Sequence, residues 1–504
     1  MGIPSFYRHL CRRFPSVITN RIQTVKWLCL DFNCAMYHVL RKYNVENKTK
    51  DKVWETGLCR AISAYMAEII TLAKPTEGVY VACDGVVCAA KRRQQRLRRF
   101  KGPWIASLGP GPGPEPESTS WDQNALTPGT AFMKQLGDFL VAEGARLQTR
   151  LGIEVIVSTT SEPGEGEHKL LAFLRKKKQT QSIDSVMIYG LDADLIVLSM
   201  LLHAETGAAV HLLREAQEFE SQGQGGKGQE KDKDWRTLDI VALGKAMIPS
   251  INPAKIRDFV ATMTLLGNDF LPRSLTRTVR DNGIPMLIQS LQQSCWNLNR
   301  HIIDPDGNIV AGELLHLLRP WATTEIQDIL AKMKSLSYSN STQDIPFQHA
   351  DMSGLNHNTV IPMYKSWHPG TADAYIQGIA WTWDYYSGKP VDQAWCFDEH
   401  IPPMWQDIVA HLTDSVCCIA PTVTFPTPLS EPIHLLSVLP MESIHRLLPP
   451  VFVDLALANP WYWPTTWLIH DIGKTQLWEC EPIIPQIPEC LLRKFDAIKI
   501  NTLS

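Results

Sequence analysis

An α/β fold built on a mainly parallel sheet, followed by a mainly α-helical region, is predicted by three features of this 504-residue chain. Short apolar runs recur through roughly the first 215 residues and alternate with amphipathic stretches, the signature of βα units. Several of the runs are continuous rather than alternating, as strands buried on both faces of a parallel sheet must be. Beyond a polar, glycine-rich stretch at Ser221, the pattern changes to helical spacing.

The strands come first. Val25 to Leu30 runs straight into Asp31, and Val79 to Cys83 into Asp84. Ile153 to Val157 leads through a short loop with a Pro and a Gly to Glu165 and Glu167, and Val186 to Tyr189 is followed by Gly190, Leu191 and Asp192. Between them Leu58 to Leu72, Ala131 to Ala142 and His168 to Arg175 read as amphipathic helices. KGPWIASLGPGPGPEPEST from Lys101 is too rich in Pro and Gly to hold regular structure, and SQGQGGKGQEKDKD from Ser221 reads as a linker. The domain boundaries drawn from this are 1–220 for the α/β domain, 221–236 for the linker and 237–504 for the helical domain. In the latter, Leu238 to Met247, Pro253 to Leu266, Gly283 to Leu291 and Glu325 to Met333 read as helices. DPDGN at Asp304 has its Gly too early for a calcium loop and no Glu at the twelfth position, so it reads as a turn.

Acids that follow strands carry the functional signal. Asp31, Asp84, Glu165, Glu167, Asp192, Asp194 and Asp269 all sit in short, glycine-marked motifs. One acid after a strand says little, because turns are polar. Four strands ending this way are harder to dismiss, since ligands in open α/β sheets bind beyond the carboxyl ends of the strands. Hard oxygen ligands in such number suit one or two Mg²⁺ or Mn²⁺ ions, and two ions clamp the attacking and leaving oxygens when a phosphodiester is cut. The expectation is a metal-dependent nuclease.

KRRQQRLRRFK, from Lys91 to Lys101, places seven basic residues in eleven positions just after Asp84. Lys91, Gln95, Arg98 and Arg99 fall at i, i+4, i+7 and i+8, on one helix face about 100° wide. A solvated basic face or a nuclear localisation signal is the plainer reading of the run alone. Its place beside a metal-site acid favours convergent donors for a terminal phosphate.

The rest of the composition sets bounds. A net charge of -3 gives no global attraction to nucleic acid, so binding must come from local patches. No run of eighteen apolar residues exists, and the charged, Pro-interrupted start MGIPSFYRHLCRRFP lacks a signal-peptide core, so a soluble, intracellular protein without membrane association is expected. Ser at position 5 rather than 6 argues against myristoylation. Twelve cysteines without a C-x-x-C pair read as free, mostly buried thiols. Eleven of sixteen tryptophans lie in the C-terminal half; any one of them is more often core packing than a base-stacking platform.

Taken together, MGIPSFYR, LDFN at Asp31, DGVVCAAKRRQQRLRRF at Asp84, TPGTAFM, PGEGEHKLLAFLR, YGLDADLIVLSM, LLRE and GNDFLP resemble, in order, the Xrn/Rat family of 5'-to-3' exoribonucleases. AYIQGIAWTWDYYSG, IPPMWQDI and HLLSVLPMESIHRLLP resemble its second, mainly helical region. The resemblance implies a compact member comprising the nuclease core: a PIN/flap-nuclease-like α/β domain with the helical domain closing over the active site. It implies Mg²⁺-dependent, processive hydrolysis of single-stranded RNA from a 5'-monophosphate end, releasing 5'-mononucleotides in RNA turnover or processing. The seven acids would be the catalytic, metal-binding set for two ions, and Lys91, Gln95, Arg98 and Arg99 would hold the 5'-phosphate. Where the family has a base-stacking His six residues after its first catalytic Asp, this chain has Tyr37, followed by His38. The family's Ser-Trp-Ser-Trp stretch is reduced to VDQAW, which makes Trp395 the second stacking partner. The segment from Gly102 to Pro116 replaces a charged helix.

Two other classes compete with this reading: a DNA flap or 5'-exonuclease on the same acidic site, disfavoured by the motif strings, and a catalytically weak RNA-binding scaffold, disfavoured by the complete set of acids. Nuclear and cytoplasmic placement are not distinguished, because RKKKQ at Arg175 and the helix at Lys91 imitate nuclear signals for structural or catalytic reasons.

Overall fold

The computed structural model describes residues 3, 6–43, 52–107, 121–215, 235–337, 356–413, 419, 421–474 and 477–500. Two compact units divide the chain: residues 1–87 with 118–260, and 88–117 with 261–504. In chain order the elements are α1 (Phe6–Arg13), β1 (Ile18–Thr19), β2 (Trp27–Asp31), α2 (Asn33–Lys42), α3 (Lys52–Ala73), β3 (Gly78–Ala82), α4 (Ala89–Ser107), α5 (Ala131–Leu151), β4 (Glu154–Ser158), α6 (Gly166–Thr180), β5 (Ser185–Tyr189), α7 (Asp194–Thr206), β6 (Ala209–Glu215), β7 (Trp235–Asp239), α8 (Ile240–Met247) and α9 (Pro253–Met263). Of these, α4 belongs to the second unit, and the first unit gives way to the second within α9.

The first unit is organised by a seven-stranded sheet in the order β1-β7-β6-β5-β2-β3-β4. Its five inner and edge strands from β6 to β4 are parallel, whereas β7 and β1 add antiparallel to one side. Every residue of β2 and β3 is buried, which is why their sequences are continuous apolar runs. Edge strand β4 is partly exposed and begins with Glu154. In the parallel register Asp31 pairs with Ala82, Ala82 with Ser158, and Leu30 with Tyr189. The four strands therefore end at one level. Around the sheet, α2, α3 and α5 pack together, and α6, α7 and α8 form a second packed set.

Helix limits follow local chemistry. Thr130 caps α5 by accepting from the Met133 amide, and Gly152 ends it in the left-handed region at φ 68°. Asp239 caps α8 by accepting from the Ala242 amide at 2.9 Å. The RKKKQ stretch closes α6, where Arg175 is held by Glu205 at 2.8 Å and Lys177 by Glu154 at 2.7 Å.

The second unit is mainly helical. Beside α4 it contains α10 (Gly283–Ser294), α11 (Ala311–Ser337), α12 (Val360–Ser366), α13 (Ala372–Ser387), α14 (Trp405–Thr413), α15 (Glu431–Val438), α16 (Met441–Leu447), α17 (Pro450–Leu457) and α18 (Glu489–Ile500), with an antiparallel pair β8 (Leu468–His470) and β9 (Glu481–Ile483). Helix α14 packs along α11, and the Glu325 carboxylate of α11 accepts from the Trp405 and Gln406 amides at the start of α14. DPDGN is a turn: the Gly307 amide donates to the Asp304 carbonyl at 3.0 Å.

Three expectations need correction. The segment from Lys101 is not irregular from its start, because α4 continues to Ser107. Phe100 is buried and Lys101 Nζ donates to the Trp478 carbonyl at 3.0 Å, and such tertiary anchoring overrides the low helix propensity of Gly102 and Pro103. The remainder of that Pro/Gly segment, 108–116, lies outside the described residues. The linker expected at 221–236 ends earlier than read: Trp235 and Arg236 already belong to β7, which pairs with β6 through Glu215 and Arg214. Residues 237–260, placed by sequence in the helical domain, belong to the compact first unit. The ten described free cysteines include Cys29, Cys59, Cys83, Cys88, Cys295 and Cys480 as buried thiols. Among the described residues no helix is long and apolar enough to cross a membrane.

Candidate active site

Strand ends deliver the first unit's acids. Asp31 is the last residue of β2, Asp84 follows β3 by two residues, and Asp192 follows β5 by three. Glu165 stands at the N-cap of α6 with Glu167 in its first turn, and Asp194 opens α7. Helix N-termini carry partial positive charge, so these three carboxylates sit where two helix dipoles stabilise them. Asp31, Glu165, Glu167 and Asp194 are buried, while Asp84 and Asp192 are half-buried.

The loops that carry these acids are tied to one another through the backbone. Phe32 N–H donates to the Ala82 carbonyl and Cys83 N–H to the Ser158 carbonyl, both at 2.9 Å, extending the ladders past the strands. Asn33 of the LDFN motif accepts from the Asp84 amide at 3.1 Å. Gly85 N–H donates to the Gly164 carbonyl and Gly164 N–H to that of Val86, each at 2.8 Å.

Gly166 is the centre of this arrangement. Its amide donates to Asp84 Oδ1 at 2.7 Å. A Cβ there would lie 2.6 Å from Asp31 Oδ1, 3.4 Å from Asp84 Oδ1 and 3.0 Å from the Ala82 carbonyl. The glycine of GEGE is thus the spacer that lets Asp31, Asp84 and the Glu165–Glu167 segment converge. Gly190 does the same for β5, since a Cβ on it would meet Asp31 Cβ at 3.4 Å and Leu195 Cδ1 at 2.3 Å. Ligand atoms of Glu165, Glu167 and His168 lie within 4.8 Å of one another. Buried, convergent carboxylate oxygens in a helix-dipole field are a donor set that fits a hard divalent cation.

The field of the cluster reaches its neighbours. Burial, with Asp31, Glu215 and Asp192 adding to it, holds the Cys34 thiol well above its usual range. Burial likewise pushes the Cys83 thiol up to about 12, with Asp84 and Asp31 assisting and Lys169 opposing. Both thiols are protonated at neutral pH and are not reactive nucleophiles.

A buried polar network centres on Glu215. Tyr65 Oη donates to Glu215, Tyr189 Oη donates to Glu215 Oε1 at 2.7 Å, and His38 Nδ1 is 3.8 Å from that oxygen. His38 stacks on Tyr65 at 5.0 Å and is 7% exposed, whereas Tyr37 is 39% exposed. Of the adjacent pair, Tyr37 presents its ring and His38 is part of the core.

The other predicted residues belong to the second unit. Asp269 follows Gly267, whose φ of 91° turns the chain, and Asn268 Oδ1 accepts from the Phe270 and Leu271 amides at 3.0 and 2.8 Å. Lys91 Nζ donates to Asp269 Oδ2 at 2.8 Å, with both side chains buried. Along the predicted face of α4, Gln95 is buried, Arg99 is half-buried with Nη1 3.4 Å from Gln95 Oε1, and Arg98 is exposed.

The neighbouring face of α4 has a structural role that sequence did not separate from the first. Arg92 pairs with Glu489, and Arg93 Nη2 donates to the Asp398 carbonyl at 2.8 Å. Arg96 donates to the carbonyls of Ser437 and Tyr462, and its guanidinium lies 4.7 Å from the Phe100 ring centroid. Burial lowers the Arg96 pKa to about 9. Trp395 is half-buried and stacks on Trp381 at 4.7 Å, which stacks in turn on Tyr385 at 5.0 Å. Phe270, next to Asp269, meets Trp381 edge-on at 5.3 Å.

Sequence reasoning missed His168, Lys169 and Arg214. All three lie inside the motifs PGEGEHK and LLRE, where the acids drew attention away from the adjacent cations.

Comparison with known proteins bears on this site. Residues 1–216 match the family model described as XRN 5'-3' exonuclease N-terminus. The chain is 30% identical over 329 residues to 5'-3' exoribonuclease 1 of Saccharomyces cerevisiae, covering 60% of this chain and 21% of that protein. It is 29% identical over 378 residues to 5'-3' exoribonuclease 2 of Debaryomyces hansenii, covering 61% of this chain and 37% of that protein. The chain thus spans less than two fifths of the length of these relatives. Among solved structures, the catalytic core of Rad2 in complex with DNA substrate aligns with a TM-score of 0.36 and 13% identity over 82% of this chain and 93% of that one.

Proposed function

We propose, from the match of residues 1–216 to the family model described as XRN 5'-3' exonuclease N-terminus, that this chain is a 5'-to-3' exoribonuclease that hydrolyses single-stranded RNA from a 5'-monophosphate end, in RNA turnover or processing. The observation that carries the reading is the clasp of Asp31, Asp84 and the Glu165–Glu167 segment around Gly166 at the ends of aligned parallel strands. In this reading Asp31, Asp84, Glu165, Glu167, Asp192 and Asp194 hold Mg²⁺ or Mn²⁺, two ions in all, and Asp269 joins them by the family resemblance. Bound divalent ions supply an activated water and neutralise charge on the cleaved phosphodiester.

The chain's own residues do the rest. The Gly166 amide and the Asn33 amide oxygen fix the Asp84 loop, so its carboxylate is oriented before substrate arrives. Gln95, Arg98 and Arg99, with Lys91, supply donors for the 5'-phosphate, and Tyr37 and Trp395 offer ring faces to unstacked bases. The domain limits 1–220 and 237–504 are retained in this proposal as family segments rather than as packing units.

Digestion of 5'-monophosphorylated RNA and matched single-stranded DNA by the full chain tests the reading. Release of mononucleotides from RNA that stops in excess chelator, and stops in Asp192→Asn and Asp194→Asn while RNA binding persists, is the expected result. Full activity in chelator or in both variants overturns the metal mechanism, and preference for DNA overturns the substrate class.

A further inference from the structure

We propose that two buried cations, Lys169 and Arg214, are positioning residues that assemble the acidic cluster of the first unit by holding the backbone beside Asp84 and at Asp192. This rests on the proposed nuclease activity and adds to it a pair of residues that touch neither substrate nor ions.

Lys169 lies on α6, two residues after Glu167, and is buried. Its Nζ donates to the Cys83 carbonyl at 2.8 Å and to the Thr159 carbonyl at 2.9 Å. Cys83 is the residue immediately before Asp84, and Thr159 is the first residue beyond β4. One ammonium therefore stitches the exit of β3 to the exit of β4, directly behind the acids that both exits carry.

Arg214 occupies the corresponding position on the other side. It lies on β6, is buried, and its Nη2 donates to the Asp192 carbonyl at 2.7 Å. The Tyr7 ring supports the guanidinium at 4.4 Å, so α1 props the arginine that holds the Asp192 turn.

What distinguishes these cations from ordinary salt-bridge partners is the choice of acceptor. Both donate to main-chain carbonyls. A cation bonded directly to Asp84 or Asp192 would occupy the lone pairs that an ion needs and would compete with it. Bonded to the carbonyls, the same charges fix the loops and stay close enough to offset the mutual repulsion of the acids. Burial lowers both pKa values, opposed by Cys83, Glu162 and then Asp84 around Lys169, and by Tyr7 and then Asp192 around Arg214. Outer-shell groups of this kind typically change metal affinity or activity by about 10- to 100-fold when removed.

The test measures binding of Mn²⁺ alone to the full chain, by electron paramagnetic resonance without RNA, together with the Mg²⁺ concentration for half-maximal activity and the KM for RNA. Lys169→Met and Arg214→Met should weaken Mn²⁺ binding by about tenfold or more and raise the Mg²⁺ requirement in parallel. Activity at saturating Mg²⁺ should recover to within a few-fold of the parent, with KM for RNA unchanged. Should either Met variant not fold, Lys169→Gln and Arg214→Lys, which keep a donor of different reach, replace them. At least a threefold loss of Mn²⁺ affinity then supports the proposal. Mn²⁺ affinity equal to the parent's in folded variants overturns it and leaves the two residues as scaffold only. A parent chain that neither binds Mn²⁺ nor degrades RNA overturns the nuclease reading itself, a result the variant comparison does not produce.

Discussion

Lys91 Nζ and Asp269 Oδ2 form a buried ion pair of 2.8 Å within the second unit. The two residues come from segments 178 positions apart, and the family resemblance gives them different tasks, phosphate for one and metal for the other. Their pairing means that neither charge is buried alone, which would be costly. Removing one partner is expected to cost about 3 to 5 kcal/mol, because the other is left uncompensated. Lys91→Met and Asp269→Leu should each destabilise the chain, and the double variant should be less destabilised than the sum of the two. Denaturation of all four proteins checks this; additive losses would show that the pair contributes nothing as a pair.

Lys91 is a poor probe of the proposed 5'-phosphate contacts because its loss also breaks the Asp269 ion pair, so Arg99 is the residue to change. A hydrogen bond to a charged group contributes about 1.5 to 3 kcal/mol, so Arg99→Ala should slow monophosphorylated RNA roughly ten- to a hundredfold. Otherwise identical 5'-hydroxyl RNA should be little changed. Competitive digestion of the two RNAs reads the ratio directly, and equal losses would reassign α4 as a general backbone contact.

Tyr37 is expected to stack on a base. Loss of its ring in Tyr37→Ala removes about 1 to 3 kcal/mol of stacking and should shorten processive runs on long RNA, while Tyr37→His is tolerated. Product-length distributions measure this. Wild-type run lengths for Tyr37→Ala would leave the residue without a substrate role.

Gly166 leaves no space for a methyl group. Gly166→Ala places a carbon 2.6 Å from Asp31 Oδ1 and 3.0 Å from the Ala82 carbonyl, so the Asp31 carboxylate must turn away from its observed position or the backbone must give. Activity should fall by at least about a hundredfold, since displacements of about 1 Å can cost that much. Near-normal turnover would mean that the acids are not used in the arrangement observed.

Glu325 predicts a pH dependence. Burial raises its pKa from 4.5 to about 7, against the two amides of Trp405 and Gln406 that favour the anion. An acid whose folded pKa lies above its unfolded value stabilises the fold at low pH, and that contribution is lost as pH rises from about 4.5 through about 7. By linkage the loss is at most on the order of 3 kcal/mol. Thermal melts of the parent should therefore fall across this window relative to those of Glu325→Gln. Parallel profiles for the two proteins would remove Glu325 as the source.

Much of the first unit was legible because buried parallel strands leave an unmistakable mark: LCLD, VYVA and VMIY have no polar face, and an acid or glycine marks where each run ends. The acids could be ranked by position alone. Strand β7 was not legible, since WRTLD is short, polar in part and preceded by a glycine- and lysine-rich stretch that reads as a boundary. Within α4 the basic run hid two roles in one composition. Whether Arg96 or Arg99 meets solvent depends on where Ser437 and Tyr462 arrive, and no local pattern contains that information. The same holds for Lys169 and Arg214, whose acceptors are backbone carbonyls and therefore leave no trace in residue type.

The strand pairing also sets where the chain can change in length. Strands β2, β3, β4 and β5 share one parallel register that ends at the acids, so losing a single residue from any of them turns alternate side chains to the wrong face and shifts one acid out of rank. The β6–β7 pairing brings Trp235 back antiparallel beside Glu215, and the entropy of a connection grows slowly with its length. An insertion in the Gly-, Gln- and Lys-rich sequence SQGQGGKGQEKDKD adds no residue to any of these four strands, so an epitope or a fluorophore placed there should leave the spacing of the acids unchanged.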